Sequence, residues 1–422
     1  MKNFPLLLGC VADDFTGASD AASFLVNQGI SAMLYNGMPQ NADAFKDCAA
    51  VVIALKTRSA PVDEAVSDTL QAFDFLEKCG AKQFYLKYCS TFDSTPKGNI
   101  GPATDAVMDK YDIPYTLLCP ALPVNNRVVR DGCLYADGIP LSEGHMRRHP
   151  LNPMWDSDLV KLMEPQGKYP CLVLNTKAMQ RPAEELLTLA LEKAADRGRL
   201  YVIPDYTDDA SGQRIVEVFG GLRFITGGSG LLAHLANRCK AEYDLAGVEI
   251  PGSKCPGKGV ALSGSCSSAT KGQIREYRDN GGAVLAVDAG KLLNGSQTIQ
   301  DLWSFVQQNH EPLIYSIGAD PDSAPRSKEN PEKGSKALED AFSEIGRRAF
   351  ESGYTRIIVA GGETSGAVCL TLGFDSFRIG ESIAFGVPVM VPAKHSDIRI
   401  ILKSGNFGQA DFFRRAFDRT RW

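Results

Sequence analysis

Asp13 and Asp14 stand side by side in Val11-Ala12-Asp13-Asp14-Phe15-Thr16-Gly17-Ala18-Ser19-Asp20, at the end of a short apolar run. A carboxylate pair at a strand tip can accept a proton or orient a hydroxyl. Helix capping explains one of them, with Thr16 or Asp14 as N-cap for the helix expected from Ala18 onward. It does not explain Asp13, Asp14 and Asp20 together. A phosphatase nucleophile requires Asp-x-Asp, and Phe15 occupies the second place. A second run, Lys87-Tyr88-Cys89-Ser90-Thr91-Phe92-Asp93-Ser94-Thr95-Pro96-Lys97-Gly98-Asn99, gathers hydroxyls, a carboxylate and two lysines. Lysine supplies a point charge while Ser90, Thr91 and Asp93 read hydroxyl groups, as a small polyhydroxylated anion requires. Lys56-Thr57-Arg58-Ser59 has the same character, and Arg58 can grip a carboxylate through its fork. Either loop alone reads equally well as an ordinary Ser/Thr turn. Their shared place after apolar runs argues for a site.

Glycine-rich turns form the other group. Gly227-Gly228-Ser229-Gly230 follows Phe224-Ile225-Thr226, and Gly228-x-Gly230-x-x-Ala233 formally matches a dinucleotide fingerprint. It comes late in its domain, and no acidic residue clearly ends a following strand, so a close-packed strand-to-helix turn is the better reading. Leu262-Ser263-Gly264-Ser265-Cys266-Ser267-Ser268, Ala360-Gly361-Gly362-Glu363-Thr364-Ser365-Gly366 and Lys403-Ser404-Gly405-Asn406-Phe407-Gly408 each follow an apolar run. Glycines let backbone N–H groups approach phosphate oxygens, and a helix N-terminus adds a favourable dipole. Three such turns in one small domain point to a nucleotide phosphate site. Gly252-x-x-x-x-Gly257-Lys258 imitates a phosphate-binding loop, but Gly259 stands where a hydroxyl must hold Mg²⁺, and the segment precedes its strand; it is a linker. Cys266 has no readable histidine partner among five histidines, and His145 and His149 lack a third ligand, so no metal site is expected.

The elements that must position these residues follow from periodicity. Apolar runs at Leu6–Ala12, Ala50–Lys56, Gln83–Lys87, Tyr115–Cys119, Cys171–Asn175, Leu200–Pro204 and Leu222–Thr226 read as strands. Helical patterns such as Pro61–Cys79 and Arg181–Arg197 alternate with them, and in the first Ala65, Leu70, Phe73 and Leu76 fall near one face. Pro120–Asn152 breaks the rhythm and reads as a functional loop or a β-hairpin excursion. Glu249–Gly259 is a linker, after which strands are expected at Val260–Leu262, Ala283–Val287, Leu313–Ser316, Arg356–Ala360 and Ile398–Leu402; Ala319–Gly334 is a solvated loop. The expected class is α/β: two domains, 1–250 and 251–422, each a mainly parallel sheet flanked by helices, with a ligand cleft between them.

Composition narrows the function classes. Hydrophobic residues make up 44% and charged residues 23%, enough apolar material for two cores without a metal or disulfide. The formal charge is −5 and no basic stripe is present, which argues against a nucleic-acid partner. Pro5 and the Asp13-Asp14 pair cut short the first apolar run, so no signal peptide is expected, and no run approaches the roughly 18 residues of a membrane span. Eleven cysteines, an odd number with no Cys-x-x-Cys, suit a reducing cytoplasm.

Taken together, the Ala12–Asp20 run, Lys87–Pro102, Thr226–Gly230, Leu262–Ser267, Gly361–Ser365 and Leu402–Gly408 resemble the four-carbon acid sugar kinase family, over nearly the whole chain. That resemblance implies a sugar-acid-binding domain followed by a nucleotide-binding domain, and ATP-dependent phosphorylation of a terminal hydroxyl. The expected substrate is a 3-oxo-tetronate, with threonate or erythronate as the alternative. By the same resemblance ATP contacts Ser263, Gly361, Gly362, Glu363, Thr364 and Gly405, with Mg²⁺ bridging its phosphates. Arg58 and Lys87, with Ser90 and Thr91, would hold the sugar acid. Asp14 is the first choice to accept the 4-hydroxyl proton, with Asp13 and Asp93 as rivals. Expected partners are a small sugar acid and ATP, with no nucleic acid and no membrane; a homo-oligomer is compatible with all of this. The rival classes are an NAD(P)-dependent oxidoreductase, resting on Gly228-x-Gly230, and a non-catalytic sugar-acid sensor.

Overall fold

A computed structural model describes residues 5–39, 48–148, 153–243, 245, 250–319 and 331–422. The chain divides into two compact units, Met1–Val248 and Glu249–Trp422. In the first, β1 (Leu8–Ala12), β2 (Ala32–Asn36), β3 (Ala50–Ala54), β4 (Gln83–Lys87) and β5 (Tyr115–Cys119) are followed by a small antiparallel sheet. That sheet is β6 (Arg127–Arg130), β7 (Cys133–Ala136) and β8 (Ile139–Pro140), and β9 (Cys171–Leu174), β10 (Leu200–Pro204) and β11 (Phe224–Gly227) complete the unit. The main sheet runs β2-β3-β1-β4-β11-β5-β10-β9, with every neighbouring pair parallel.

β1 and β3 are buried along their whole length, as their unbroken apolar sequences require of strands covered on both faces. The helix Phe15–Asn27 covers one face, with Ala18, Ala21, Ala22, Ser19 and Ser23 buried. Val62–Lys78 turns Ala65, Thr69, Ala72, Phe73 and Leu76 inward. Leu70, expected on that face, is half-buried, because the helical step puts Thr69 and Ala72 between Ala65 and Leu76 on the inner stripe. The excursion after β5 is the hairpin sheet. Asp131-Gly132 and Asp137-Gly138 join its strands with positive φ at both central residues, the turn that suits the twist of paired strands.

The second unit contains β12 (Lys258–Ser263), β13 (Val284–Val287), β14 (Leu313–Ser316), β15 (Tyr354–Ala360), β16 (Ser376–Ala384), β17 (Val387–Pro392) and β18 (Arg399–Lys403). β13-β14-β12-β15-β18 is parallel, and β17 and β16 extend it antiparallel. Neither β2 nor the β16–β17 hairpin stands out in the sequence reading. The expected loop Ala319–Gly334 lies mostly outside the described residues, and from Pro331 onward it is the start of a helix, Pro331–Glu351. Proline suits a first helical position because its missing N–H has no partner to lose there. Lys258 of the loop look-alike sits at the amino end of β12, remote from the strand's carboxyl end. All eleven cysteines are free thiols. Among the described residues no helix is long and apolar enough to cross a membrane.

Candidate active site

In the first unit the chain leaves β1 toward β2 and β3 on one side and reaches β4 on the other. The carboxyl ends of β1, β3 and β4 therefore meet at a topological switch point, where open α/β sheets bind ligands. Their last residues are in register, Ala12 opposite Ala54 and Lys87, and Gly227 of β11 opposite Lys87. Backbone bonds fix the loops that follow: Asp13 N–H donates to the Lys87 carbonyl, and the Thr57 and Arg58 N–H groups donate to the Asp13 carbonyl at 3.1 and 3.2 Å.

That frame brings Arg58 onto both carboxylates. Its Nε and Nη2 clamp Asp13 at 2.9 and 2.8 Å, and Nη1 reaches Asp14 Oδ2 at 3.2 Å. Asp14 is the N-cap of Phe15–Asn27: Oδ1 accepts from Gly17 N–H at 2.9 Å and Oδ2 from the Thr16 hydroxyl at 2.9 Å. Burial pushes both carboxyls up. At Asp14 the opposing pull of Arg58, Lys87, Thr16 and Gly17 wins, leaving it below the usual carboxylate range. At Asp13 burial outweighs Arg58, and the carboxyl lies above that range.

Lys87 is 2% exposed; its Nζ donates to the Tyr88 carbonyl at 3.0 Å and lies 3.9 Å from Asp20 Oδ2. Asp20 takes a hydrogen bond from the Ser229 hydroxyl, while its Oδ1 is buried without a partner. Burial, partly opposed by Lys87 and Ser229, raises this carboxyl to about 6. Asp13, Arg58, Lys87, Asp93, Ser94 and Asn99 line a pocket at these strand ends. Asn99 donates to the Thr57 and Ala60 carbonyls at 2.6 and 2.9 Å, so the second loop braces the Arg58 loop. Thr91 is buried and Ser90 half-buried, and neither is among the residues that line this pocket. Between Thr91 and Asp93, buried Phe92 takes a left-handed φ of +48° and packs edge-on to Tyr88 at 5.8 Å. Such backbone costs on the order of 1–3 kcal/mol and persists only where packing holds it.

The Gly227–Gly230 turn is shaped by packing. A Cβ on Gly228 would come within 2.3 Å of the Pro120 carbonyl oxygen, and one on Gly230 within 2.4 Å of that of Ala121. Its one hydroxyl, Ser229, is spent on Asp20.

In the second unit Ser263, Ala360 and Lys403 end adjacent strands in register. Gly264 and Ser265 N–H groups donate to the Ala360 carbonyl, and Gly361 N–H to that of Lys403. Gly361 caps the helix Gly362–Thr371 at φ +115°, a conformation that leaves Gly361 as the natural residue there. Thr364 packs against Gly264, while Gly362 and Glu363 are exposed in the first turn. Gly405 lies against Ser265 and Ser267, and its carbonyl accepts from Ser267 Oγ at 2.5 Å and Thr270 Oγ1 at 3.0 Å. Ser263 and Ser365 each bury a hydroxyl with no partner. Orphaned buried donors beside two helix N-termini are what a polyphosphate would satisfy. Among the described residues no group of three or more His, Cys, Asp or Glu could hold a metal; His149 lies outside them.

The sequence reading named neither Asp20, Asn99 and Ser229 nor Thr270 and Lys403 as site residues. Asp20, Asn99, Ser229 and Lys403 stood within its quoted runs, and Thr270 did not. Their roles depend on which helix or loop folds back, and spacing along the chain does not carry that.

Each unit gathers polar groups at the carboxyl ends of parallel strands, the first in a charged pocket and the second in glycine turns with buried hydroxyls. Residues 8–235 match the family described as a sugar-binding N-terminal domain, and residues 260–413 that described as a nucleotide-binding C-terminal domain. The chain is 39% identical to a 3-oxo-tetronate kinase of Brucella melitensis, covering 98% of this chain and 96% of that one. It is 40% identical to one of Actinobacillus succinogenes, covering 97% and 99%. A solved Salmonella typhimurium protein matches with TM-score 0.84 at 38% identity, covering 99% and 100%. A solved Haemophilus influenzae protein matches at 0.75 and 37%, covering 97% and 99%. The chain belongs to the four-carbon acid sugar kinase family.

Proposed function

We propose that this protein is an ATP-dependent kinase that phosphorylates the 4-hydroxyl of 3-oxo-tetronate, giving 3-oxo-tetronate 4-phosphate. The observation that carries the reading is full-length similarity, through both units, to several 3-oxo-tetronate kinases. The site chemistry agrees with it. Phosphoryl transfer needs positioning and charge stabilisation more than covalent catalysis. A hydroxyl held by the first unit must meet the γ-phosphate held by the second. The oxygen–phosphorus bond to the 4-hydroxyl forms as the bond to ADP breaks, and the hydroxyl proton passes to a carboxylate.

Pocket lining puts Asp13 and Asp93 ahead of Asp14 for that carboxylate, and Asp13, whose carboxyl burial holds above the usual range, is the first choice. Asp14 is committed to its cap and held below the usual range, whereas Asp13 lines the pocket and burial keeps it the better base. Lys87, which donates to Tyr88 and faces Asp20 at 3.9 Å, would turn its remaining donor capacity to the sugar-acid carboxylate; Arg58, largely engaged by Asp13 and Asp14, contributes an outer edge. Ser90 and Thr91 read hydroxyls. Ser263, Gly361, Gly362, Glu363, Thr364 and Gly405 hold ATP. Mg²⁺ would accompany the nucleotide and neutralise phosphate charge, and the protein supplies the N–H and hydroxyl donors around it. A cytoplasmic setting suits ATP as donor and the free thiols.

The test is ADP release with Mg-ATP across 3-oxo-tetronates, threonates and erythronates of both hands. Turnover confined to the oxo acids is expected. Turnover with threonate or erythronate alone would move the substrate while keeping the mechanism. Silence with nucleotide still bound would turn the protein into a sensor.

A further inference from the structure

Lys403 ends β18 with no exposed surface, and among the described residues no carboxylate pairs with it. Lysine is almost never fully buried without a counter-charge. Among the described residues, the groups that face its ammonium are neutral. From the helix Ser268–Asp279 comes Thr270 Oγ1 at 3.1 Å; from its own turn come the Ser404 and Gly405 carbonyls at 3.0 and 2.8 Å. From the helix Phe412–Thr420 comes the Phe412 ring, 5.7 Å from Nζ. Three acceptors match the three N–H donors of an ammonium, and a neutral amine could satisfy only two. The carbonyl of Gly405 already accepts from Ser267 and Thr270, so Lys403 is not needed merely to satisfy it.

We propose that Lys403 is a positioning residue whose missing counter-charge is the nucleotide phosphate: it holds the Gly405 turn from beneath and takes up a proton when the phosphate binds. The inference rests on the nucleotide reading of the second unit. Its physical basis is the cost of a desolvated cation, which an arriving anion offsets. Burial pulls Lys403 down to about 7, against the three acceptors that favour its ammonium, so an arriving anion can draw a proton in. An anion one turn away favours the ammonium, and by linkage protonation favours the anion. Ser263, at the end of β12 two strands from Lys403, and Ser365, in the first turn of Gly362–Thr371, bury unpartnered hydroxyls in the same unit.

The experiment is calorimetric titration of the full-length protein with ADP from pH 6.5 to 8.5, in two buffers of different ionisation enthalpy. K403M and K403Q are run beside wild type, with thermal unfolding to confirm that each folds. Wild type is expected to take up more protons than either variant on binding. Its ADP affinity should fall by up to about tenfold per pH unit above pH ~7 relative to theirs. Subtracting the variants removes the titration of ADP itself. Equal proton uptake in all three proteins would overturn the assignment of Lys403. Absence of ADP binding by wild type at any pH would remove the nucleotide reading, and this inference with it.

Discussion

The strand ends of the two units do comparable work with opposite materials. In the first, Asp13, Asp14 and Asp20 are set against Arg58 and Lys87, so nearly every buried charge has a partner within 4 Å. In the second, hydroxyls, glycine N–H groups and carbonyls surround one cation, Lys403, that has none. A sugar acid brings one carboxylate and several hydroxyls, and a hydroxyl must lose a proton, so its site needs a carboxylate kept basic beside cations. A nucleotide brings its own multiple negative charges. Backbone and hydroxyl dipoles with a buried cation meet those charges, although Glu363 in the first turn of Gly362–Thr371 puts one carboxylate among the residues proposed to hold it.

That contrast is open to tests of decreasing size. Asp13→Asn should lower kcat by about 10²–10⁴-fold, the range for losing a general base, with a smaller change in KM for ATP. Near wild-type turnover would transfer the role to Asp93 or Asp14. A subtler effect belongs to Asp20. Its carboxyl sits near 6 in the folded protein, above its ordinary value of 3.8, so the stability it contributes is full below pH 3.8 and is lost as pH rises through about 6. Asp20→Asn should remove that part of the slope in thermal stability between pH 4 and 6. An unchanged slope would place the titration elsewhere.

Much of this arrangement can be read without coordinates, for a stated reason. In a parallel sheet the turns after the strands share one edge, so Asp13, Arg58 and Lys87 can be grouped once β1, β3 and β4 are recognised as apolar runs. The α/β class follows from the same alternation. Other features escape. Asp14 reads as half of a catalytic pair, yet its geometry is that of a helix cap, and a carboxylate before Phe-Thr-Gly serves either end equally well on paper. β2 and β17 are apolar, but Pro388 and Pro392 in β17 speak against a strand, and β16 mixes Arg378, Gly380 and Glu381 among its apolar residues. The β-hairpin excursion expected within Pro120–Asn152 is present, and its turns could have been placed from Asp131-Gly132 and Asp137-Gly138, both strong turn dipeptides. Lys403 looks like the polar end of a strand, and its burial is set by Thr270, 133 residues away in sequence, and by Phe412 on the helix that follows.

The most direct test of the division of labour is a crossed binding measurement on the full-length protein, with 3-oxo-tetronate and ADP as separate ligands. Arg58→Ala, which strips the clamp from Asp13 and Asp14, should weaken the sugar acid at least tenfold and leave ADP within twofold, by the usual worth of charge-assisted bonds. Gly361→Ala, which forces a side chain onto a φ of +115°, should do the reverse. If both variants lose both ligands alike, or if each loses the other's, the assignment of sugar acid to the first unit and nucleotide to the second is wrong.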